Sequence, residues 1–252
     1  MDREINVSSN LTELVFEGSR RIVEAAERAI ALQGKFSIAL SGGHTPKSLY
    51  ELLASESFGA LIDWSKVHIY FGDERCVPPD SDQSNYRMAN EALLSHVPIP
   101  PEQIHRMRSE IDPQEAAKEY GQLLKAHFGD DGLDLILLGM GDDGHTASLF
   151  PHTAALAEQH HRCVANHVEK LDAWRITMTA PFINKAAEVM ILVAGADKEA
   201  RLHEVLEGPQ KPEDFPIQMI QPESGRLIWL LDSAAAGMWE EDEDEGEEGK
   251  EQ

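Results

Sequence analysis

Cysteine is almost missing from this chain. Cys76 and Cys163 are its only two, too few for a disulfide framework or a cysteine-based zinc site, so a reducing cytoplasm is the simplest home. Long apolar runs are missing too. Stretches such as Val189–Ala194 reach strand length, far short of the roughly 20 residues a membrane helix needs, so no membrane partner is expected. The opening MDREINVSSN is charged and has no apolar core segment, so no signal peptide is read there. Positive charge is scarce: 22 Lys and Arg stand against 45 Asp and Glu, a formal net charge of −23, which argues against nucleic acid as a partner. The eleven histidines show neither H-E-x-x-H nor H-x-H spacing, so a dedicated metal site is unsupported.

Part of the negative charge is local. Residues 240–252, EEDEDEGEEGKEQ, carry nine acids and one lysine. Such a block cannot bury enough apolar surface to offset its ordering entropy, and it reads as a disordered, solubilising tail. The remaining residues, 1–239, alternate strand-like and helix-like segments. Apolar residues recur at helical spacing from Leu11 to about Leu32 (Leu14, Val15, Ile22, Ala26, Ala29 and Ile30 among them), which predicts a long amphipathic helix. Phe36–Leu40 is a short buried strand, and Pro46 suits the first turn of a helix through Leu53. Val67–Phe71 is the next strand. Helices are expected near Asn85–Ser95 and Pro113–His127, and Leu133–Leu138 is an unbroken apolar strand of the kind covered on both faces. Cys163–Val168, Arg175–Ala180, Val189–Ala194 and Leu227–Leu231 read as further strands, with Asp197 capping a helix through Leu206. This rhythm predicts an α/β fold: a doubly wound, mostly parallel, Rossmann-like sheet in a single domain with loop insertions.

In such sheets ligands bind beyond the carboxyl ends of the strands, and three loops there carry chemistry. Ser41-Gly42-Gly43-His44-Thr45-Pro46 offers two glycines for close backbone approach, the hydroxyls of Ser41 and Thr45, and the N-terminus of a helix, all suited to a phosphate. It lacks the Gly-Lys-Ser/Thr ending of a nucleotide P-loop, and it could equally be a plain connecting turn. Gly72-Asp73-Glu74-Arg75 places three charges at a strand end, where Arg75 can meet a phosphate or pair with Asp73 or Glu74. The third loop, Gly139-Met140-Gly141-Asp142-Asp143-Gly144, spells G-x-G-x-x-G after a strand, the outline of a dinucleotide turn. Asp142 and Asp143 would repel a pyrophosphate, and no ribose-binding acid stands clearly about twenty residues on. The turn instead delivers His145 to the sheet edge with Asp143 close by, a candidate general base with an orienting carboxylate. Trp174 and Trp229 are read as packing residues, and His160 and His161 as surface residues.

SGGHTP at 41–46, GDER at 72–75, SNYRMA at 84–89, GMGDDGHTASLFPHT at 139–153, RITMTAPFIN at 175–184 and GADKEARLHEVL at 195–206 together resemble the 6-phosphogluconolactonase family. That family lies within the larger group of glucosamine-6-phosphate deaminases and ribose-5-phosphate isomerase-like folds. The motifs fall in family order over roughly residues 10–232. The run His145-Thr146-Ala147-Ser148-Leu149-Phe150-Pro151 and the segment Gly-Asp-Glu-Arg both separate the chain from the deaminases, whose blocks continue as Ile-Ala-Phe-Asn-Glu-Pro and read Met-Asp-Glu-Tyr. His44 departs from the serine of many relatives, which touches a side-chain contact only.

The resemblance implies hydrolysis of 6-phospho-D-glucono-1,5-lactone to 6-phosphogluconate, a step of the oxidative pentose phosphate pathway, with no cofactor and no metal. It implies His145 as base and Asp143 as its orienting partner. Ser41, Gly42, Gly43, Thr45, Asp73, Arg75, Asn85, Arg175 and Lys198 are the expected substrate and phosphate contacts. The expected partner is the small sugar-phosphate lactone alone, with the chain a monomer or weak dimer in the cytoplasm. A hexosamine-phosphate isomerase or deaminase is the rival on the same fold, and a non-catalytic sugar-phosphate-binding regulator is the rival from another class.

Overall fold

Apolar runs and helical spacings alternate in the sequence, and strands and helices alternate in the molecule. The computed structural model describes residues 3–237; the acidic segment 240–252, read above as a disordered tail, lies outside them. Along the chain run β1 (Arg3–Ser8), α1 (Leu11–Gln33), β2 (Phe36–Leu40), α2 (His44–Leu53), α3 (Glu56–Gly59), β3 (Val67–Phe71) and β4 (Asp73–Arg75). They are followed by α4 (Asn85–Ala89), α5 (Pro113–Phe128), β5 (Leu135–Gly139), β6 (Cys163–Val168), β7 (Ala173–Met178) and α6 (Ala180–Ile183). The chain then forms β8 (Glu188–Val193), α7 (Glu199–Glu207), β9 (Arg226–Asp232) and α8 (Ser233–Ala236).

Local chemistry sets the boundaries. The Asn10 side chain accepts the Glu13 N–H at 3.0 Å and so caps α1, while Gly34, in the left-handed region, returns its N–H to Ile30 O at 2.9 Å. Asp112 caps α5 through the N–H groups of Gln114 and Glu115, with Pro113 at the first helical position where its missing donor costs nothing.

Six strands form a parallel sheet in the order β1-β9-β8-β5-β2-β3. Every residue of β2 and β8 is buried, as central parallel strands covered by helices on both faces require. Cutting back one of their fully buried side chains, Leu40 or Ile191 for example, would cost roughly 2–5 kcal/mol. A buried charge in this sheet, Glu188 in β8, is answered by Arg28 at 3.3 Å and by Arg226.

β1 escaped the sequence reading. Its half-exposed REINVS lies at the sheet margin, pairing only with β9 (Ile5 opposite Trp229), and it needs no apolar run. Cys163–Val168 and the segment beginning near Arg175 do form strands, but outside the parallel sheet. As β6 and β7 they join β4 in a separate antiparallel sheet, order β4-β7-β6. Only four residues, 169–172, connect β6 to β7, which allows a hairpin and is too short for a parallel crossover. The helix expected over Asn85–Ser95 is the short α4 continued by a π-helical turn, Asn90–Leu94. Asp197 does not cap α7; it sits in the preceding 3-10 turn, Ala196–Lys198. Trp229 is a core residue as expected, whereas Trp174 is partly exposed beside His167.

Two features position the site. From β2 the chain steps outward to β3, then returns to lay β5 on the other side of β2 (Ala39 opposite Ile136), so the loops leaving β2 and β5 diverge at a switch point. The small sheet is fastened to that same end by Gly72, whose N–H donates to Leu40 O at 3.0 Å and whose carbonyl accepts from Met178 N–H at 2.8 Å.

Candidate active site

The loop after β5 is folded onto itself. Gly141 N–H donates to His145 O at 2.9 Å, Gly144 N–H to Gly141 O at 3.0 Å, and Thr146 Oγ1 to Gly139 O at 2.8 Å. This winding lays the His145 ring directly on Gly141, where a Cβ would stand 2.0 Å from both Cε1 and Nδ1. The glycine pattern therefore serves a histidine. On its other side the ring stacks on Phe150, with centroids 4.0 Å apart and planes 20° from parallel.

Asp143 completes the arrangement. Its Oδ1 lies 2.6 Å from His145 Nδ1 and also accepts the His145 backbone N–H at 3.2 Å. The His145 bond holds the Asp143 carboxyl well below the usual carboxylate range, against the opposing effect of burial; the His145 charge and the Lys170 hydrogen bond add to the lowering. An ionised acceptor at Nδ1 fixes the tautomer with the proton there, leaving Nε2 with a lone pair.

His145, Asp143, Asp73, Arg75, Lys170 and Arg175 line one cavity of about 250 Å³. Arg75 and Arg175 stand opposite each other in the β4–β7 register. Arg75 Nη1 donates to Gln83 O at 2.6 Å and Arg175 Nη1 to Trp174 O at 3.3 Å, and neither forms a salt bridge among the described residues. Burial, and then the neighbouring Arg75 charge, hold the Arg175 guanidinium below its ordinary range. Two unneutralised guanidiniums side by side are an anion site by charge and by donor geometry.

Asp73 is a structural hub. Its Oδ2 accepts from Ser148 Oγ at 2.6 Å, and Asn85 Nδ2 donates to its Oδ1 at 3.3 Å and its carbonyl at 3.1 Å. Asn85 in turn lies against Gly42, where a Cβ would meet Asn85 Oδ1 at 2.1 Å. The Ser41–Thr45 loop is thus tied to the His145 loop through Asn85, Asp73 and Ser148, although it does not line the cavity itself. Within it, Ser41 N–H donates to the Tyr50 hydroxyl and Tyr50 donates to Ser41 O, both at 2.8 Å. Gly43 precedes the first residue of α2, and no side chain caps that helix, so the first N–H groups beside Thr45 keep free donors.

Lys198 is not bare. Its ammonium is paired with Asp142 and lies 3.8 Å from Asp197, so it reaches the cavity only through the Asp142 carboxylate. The residues that sequence reasoning missed are Phe150, Ser148, Lys170 and Glu74. Ser148 and Phe150 stand in the quoted TASLFP run without a role assigned to them, and Lys170 carries no local signal at all. Glu74 is buried and accepts the N–H groups of Asn85 and Tyr86 at 2.7 and 2.8 Å, fixing the start of α4. Among the described residues no group of three or more His, Cys, Asp or Glu could hold a metal ion, and no helix is long and apolar enough to cross a membrane.

The chain is similar to known proteins. A 6-phosphogluconolactonase of a Nostoc strain is 42% identical over 241 residues, covering 93% of this chain and 98% of its own. The solved 6-phosphogluconolactonase of Trypanosoma brucei superposes with a TM-score of 0.83 at 30% identity, covering 93% of this chain and 98% of its own. A monomeric glucosamine-6-phosphate deaminase gives a TM-score of 0.79 at 21% identity, over 92% of this chain and 98% of its own, and so shares the fold. The family model described as glucosamine-6-phosphate isomerases/6-phosphogluconolactonase matches residues 9–229. With its site at the switch point of a doubly wound sheet, the chain belongs to the glucosamine-6-phosphate isomerase/6-phosphogluconolactonase family.

Proposed function

We propose that the protein hydrolyses 6-phospho-D-glucono-1,5-lactone to 6-phospho-D-gluconate, using a water molecule activated by His145. The observation that carries this reading is the His145–Asp143 pair facing the same cavity as the unneutralised Arg75 and Arg175. A δ-lactone is an activated ester, so a base and a positioned water suffice and neither a covalent nucleophile nor a metal is called for. His145 Nε2 takes a proton from water as its oxygen bonds to C1, and the carbonyl electrons move onto the exocyclic oxygen. When the tetrahedral centre collapses, the bond from C1 to the ring oxygen breaks and Nε2 returns its proton to that oxygen. Asp143 keeps the ring in the required tautomer and stabilises the transient imidazolium.

Arg75 and Arg175 take the phosphate as forked donors. The uncapped start of α2 with Ser41, Gly42, Gly43 and Thr45 stands outside that cavity, tied to it through Asn85 and Asp73, and offers further donors to whatever part of the substrate extends beyond the arginines. Lys198 contributes positive charge from behind Asp142. The cation cluster gives an acidic protein one locally attractive region for a dianionic substrate. The test is lactone hydrolysis followed by pH-stat and corrected for the spontaneous rate. His145→Ala is expected to lose about 10²–10⁴ in kcat; an unchanged rate would end the reading.

A further inference from the structure

The Asp143 carboxylate is divided between partners from two distant parts of the chain. Oδ1 serves the His145 ring at 2.6 Å, while Oδ2 accepts from Lys170 Nζ at 3.1 Å. Lys170 sits on the 3-10 turn Glu169–Leu171 between β6 and β7, closed by Asp172 in the left-handed region, whose N–H donates to Glu169 O at 3.0 Å. The small antiparallel sheet thus reaches over the loop of the parallel sheet and holds the outer oxygen of its key carboxylate.

The other charged groups around the pair are otherwise engaged. Asp142 is held by Lys198, and its carbonyl accepts from Arg201 Nε at 2.9 Å. Asp73 is bonded by Ser148 and Asn85, and Arg75 and Arg175 donate to the carbonyls of Gln83 and Trp174. Lys170 is the cation bonded to Asp143 among the described residues, and with its side chain 71% exposed it has no packing reason to be there.

We propose that Lys170 is a positioning residue: it fixes the rotation of the Asp143 carboxylate against the His145 ring and offsets part of its charge, so that His145 remains free to accept a proton at lower pH. A carboxylate bound only to the imidazole favours the imidazolium, which cannot act as a base; a cation on its far oxygen weakens that preference. The inference rests on His145 being the base.

The test is kcat/KM for the phosphorylated lactone from about pH 5 to pH 8 for the wild type, Lys170→Met, Lys170→Arg, Asp143→Asn and the Asp143→Asn/Lys170→Met double variant. Lys170→Met is expected to move the acid limb upward by about half a pH unit, a ~3-fold loss at the acid end with the plateau nearly kept, as suits one exposed charge acting through a water-like medium. Lys170→Arg should restore the limb. In the Asp143→Asn background, Lys170→Met should move it no further. A loss equal at every pH would reduce Lys170 to a structural role. A rise in KM confined to the phosphorylated lactone, with the limb unmoved, would make it a substrate contact instead. Either result overturns the proposal while leaving His145 as base, whereas a fully active His145→Ala would remove the premise itself.

Discussion

Replacing Gly141 by alanine adds one carbon and removes no reacting group, yet it should disable the site. The new Cβ would stand 2.0 Å from two atoms of the His145 ring, where an ordinary contact needs about 3.5 Å, so the ring must move by roughly 1.5 Å. It cannot move straight away from the glycine, because Phe150 is stacked on its other face at 4.0 Å. The ring has to slide or tilt, and the 2.6 Å bond to Asp143 is the contact that gives. A displacement of about 1 Å at a reacting group costs on the order of 10² in rate, so kcat/KM should fall by 10²-fold or more. Overpacking of this kind costs about 1–3 kcal/mol of stability, a drop in Tm of several degrees, which leaves the protein folded at assay temperature. The companion is Gly139→Ala, at the first glycine of the same pattern, where the nearest atom to a new Cβ is Leu192 O at 3.9 Å. It should keep most of the activity. Lactone hydrolysis by pH-stat and a thermal melt on both variants decide the matter. Wild-type kcat/KM in Gly141→Ala, or equal losses in the two, would refute the claim that these glycines are spaced to seat a histidine.

Arg175→Ala should raise KM for the phosphorylated lactone by tenfold to a hundredfold, the range of one charge-assisted hydrogen bond, and leave hydrolysis of unphosphorylated gluconolactone nearly unchanged; equal losses on both substrates would count against a phosphate role. A third prediction concerns stability. Burial first, then the charges of His127 and His68, lower His105 to about 4. Because the folded state disfavours the proton, stability is fully present above the unfolded value near 6.5 and is lost as pH falls from there toward 4. Chemical denaturation of His105→Phe should show a flatter dependence between those limits, by about 1–3 kcal/mol; a wild-type slope would mean that His105 is not the group responsible.

The inner strands of the parallel sheet are readable because they are buried on both faces: Phe36–Leu40 is apolar but for Ser37, and Leu135–Leu138 is a continuous apolar run, each followed by a glycine-rich loop. The antiparallel sheet was misassigned because β6 and β7 show burial of mixed pattern, and β4 is three charged residues with no strand signature. His145, Asp143 and Arg75 stand out in the sequence as reactive residue types at strand ends, Arg175 enters through the family resemblance, and the fold brings the four to one cavity. Lys170 does not stand out, because its meaning arises only when a hairpin 27 residues downstream folds over Asp143. Asp73 was expected as a substrate contact. Its side-chain bonds to Asn85 and Ser148 show it joining the two loops, a relation no local spacing could display.

If the facing pair Arg75 and Arg175 takes the phosphate as proposed, occupancy and folding are coupled. Two like charges on neighbouring strands oppose each other while the cavity is empty, and any dianion that lodges between them turns the repulsion into attraction. The reaction product keeps the phosphate and gains a carboxylate, so it leaves the site while still carrying the charge that the guanidiniums favour. In a crowded cell, sugar phosphates of either kind would act as folding ligands, adding about 2.7 kcal/mol when present at a hundred times their Kd.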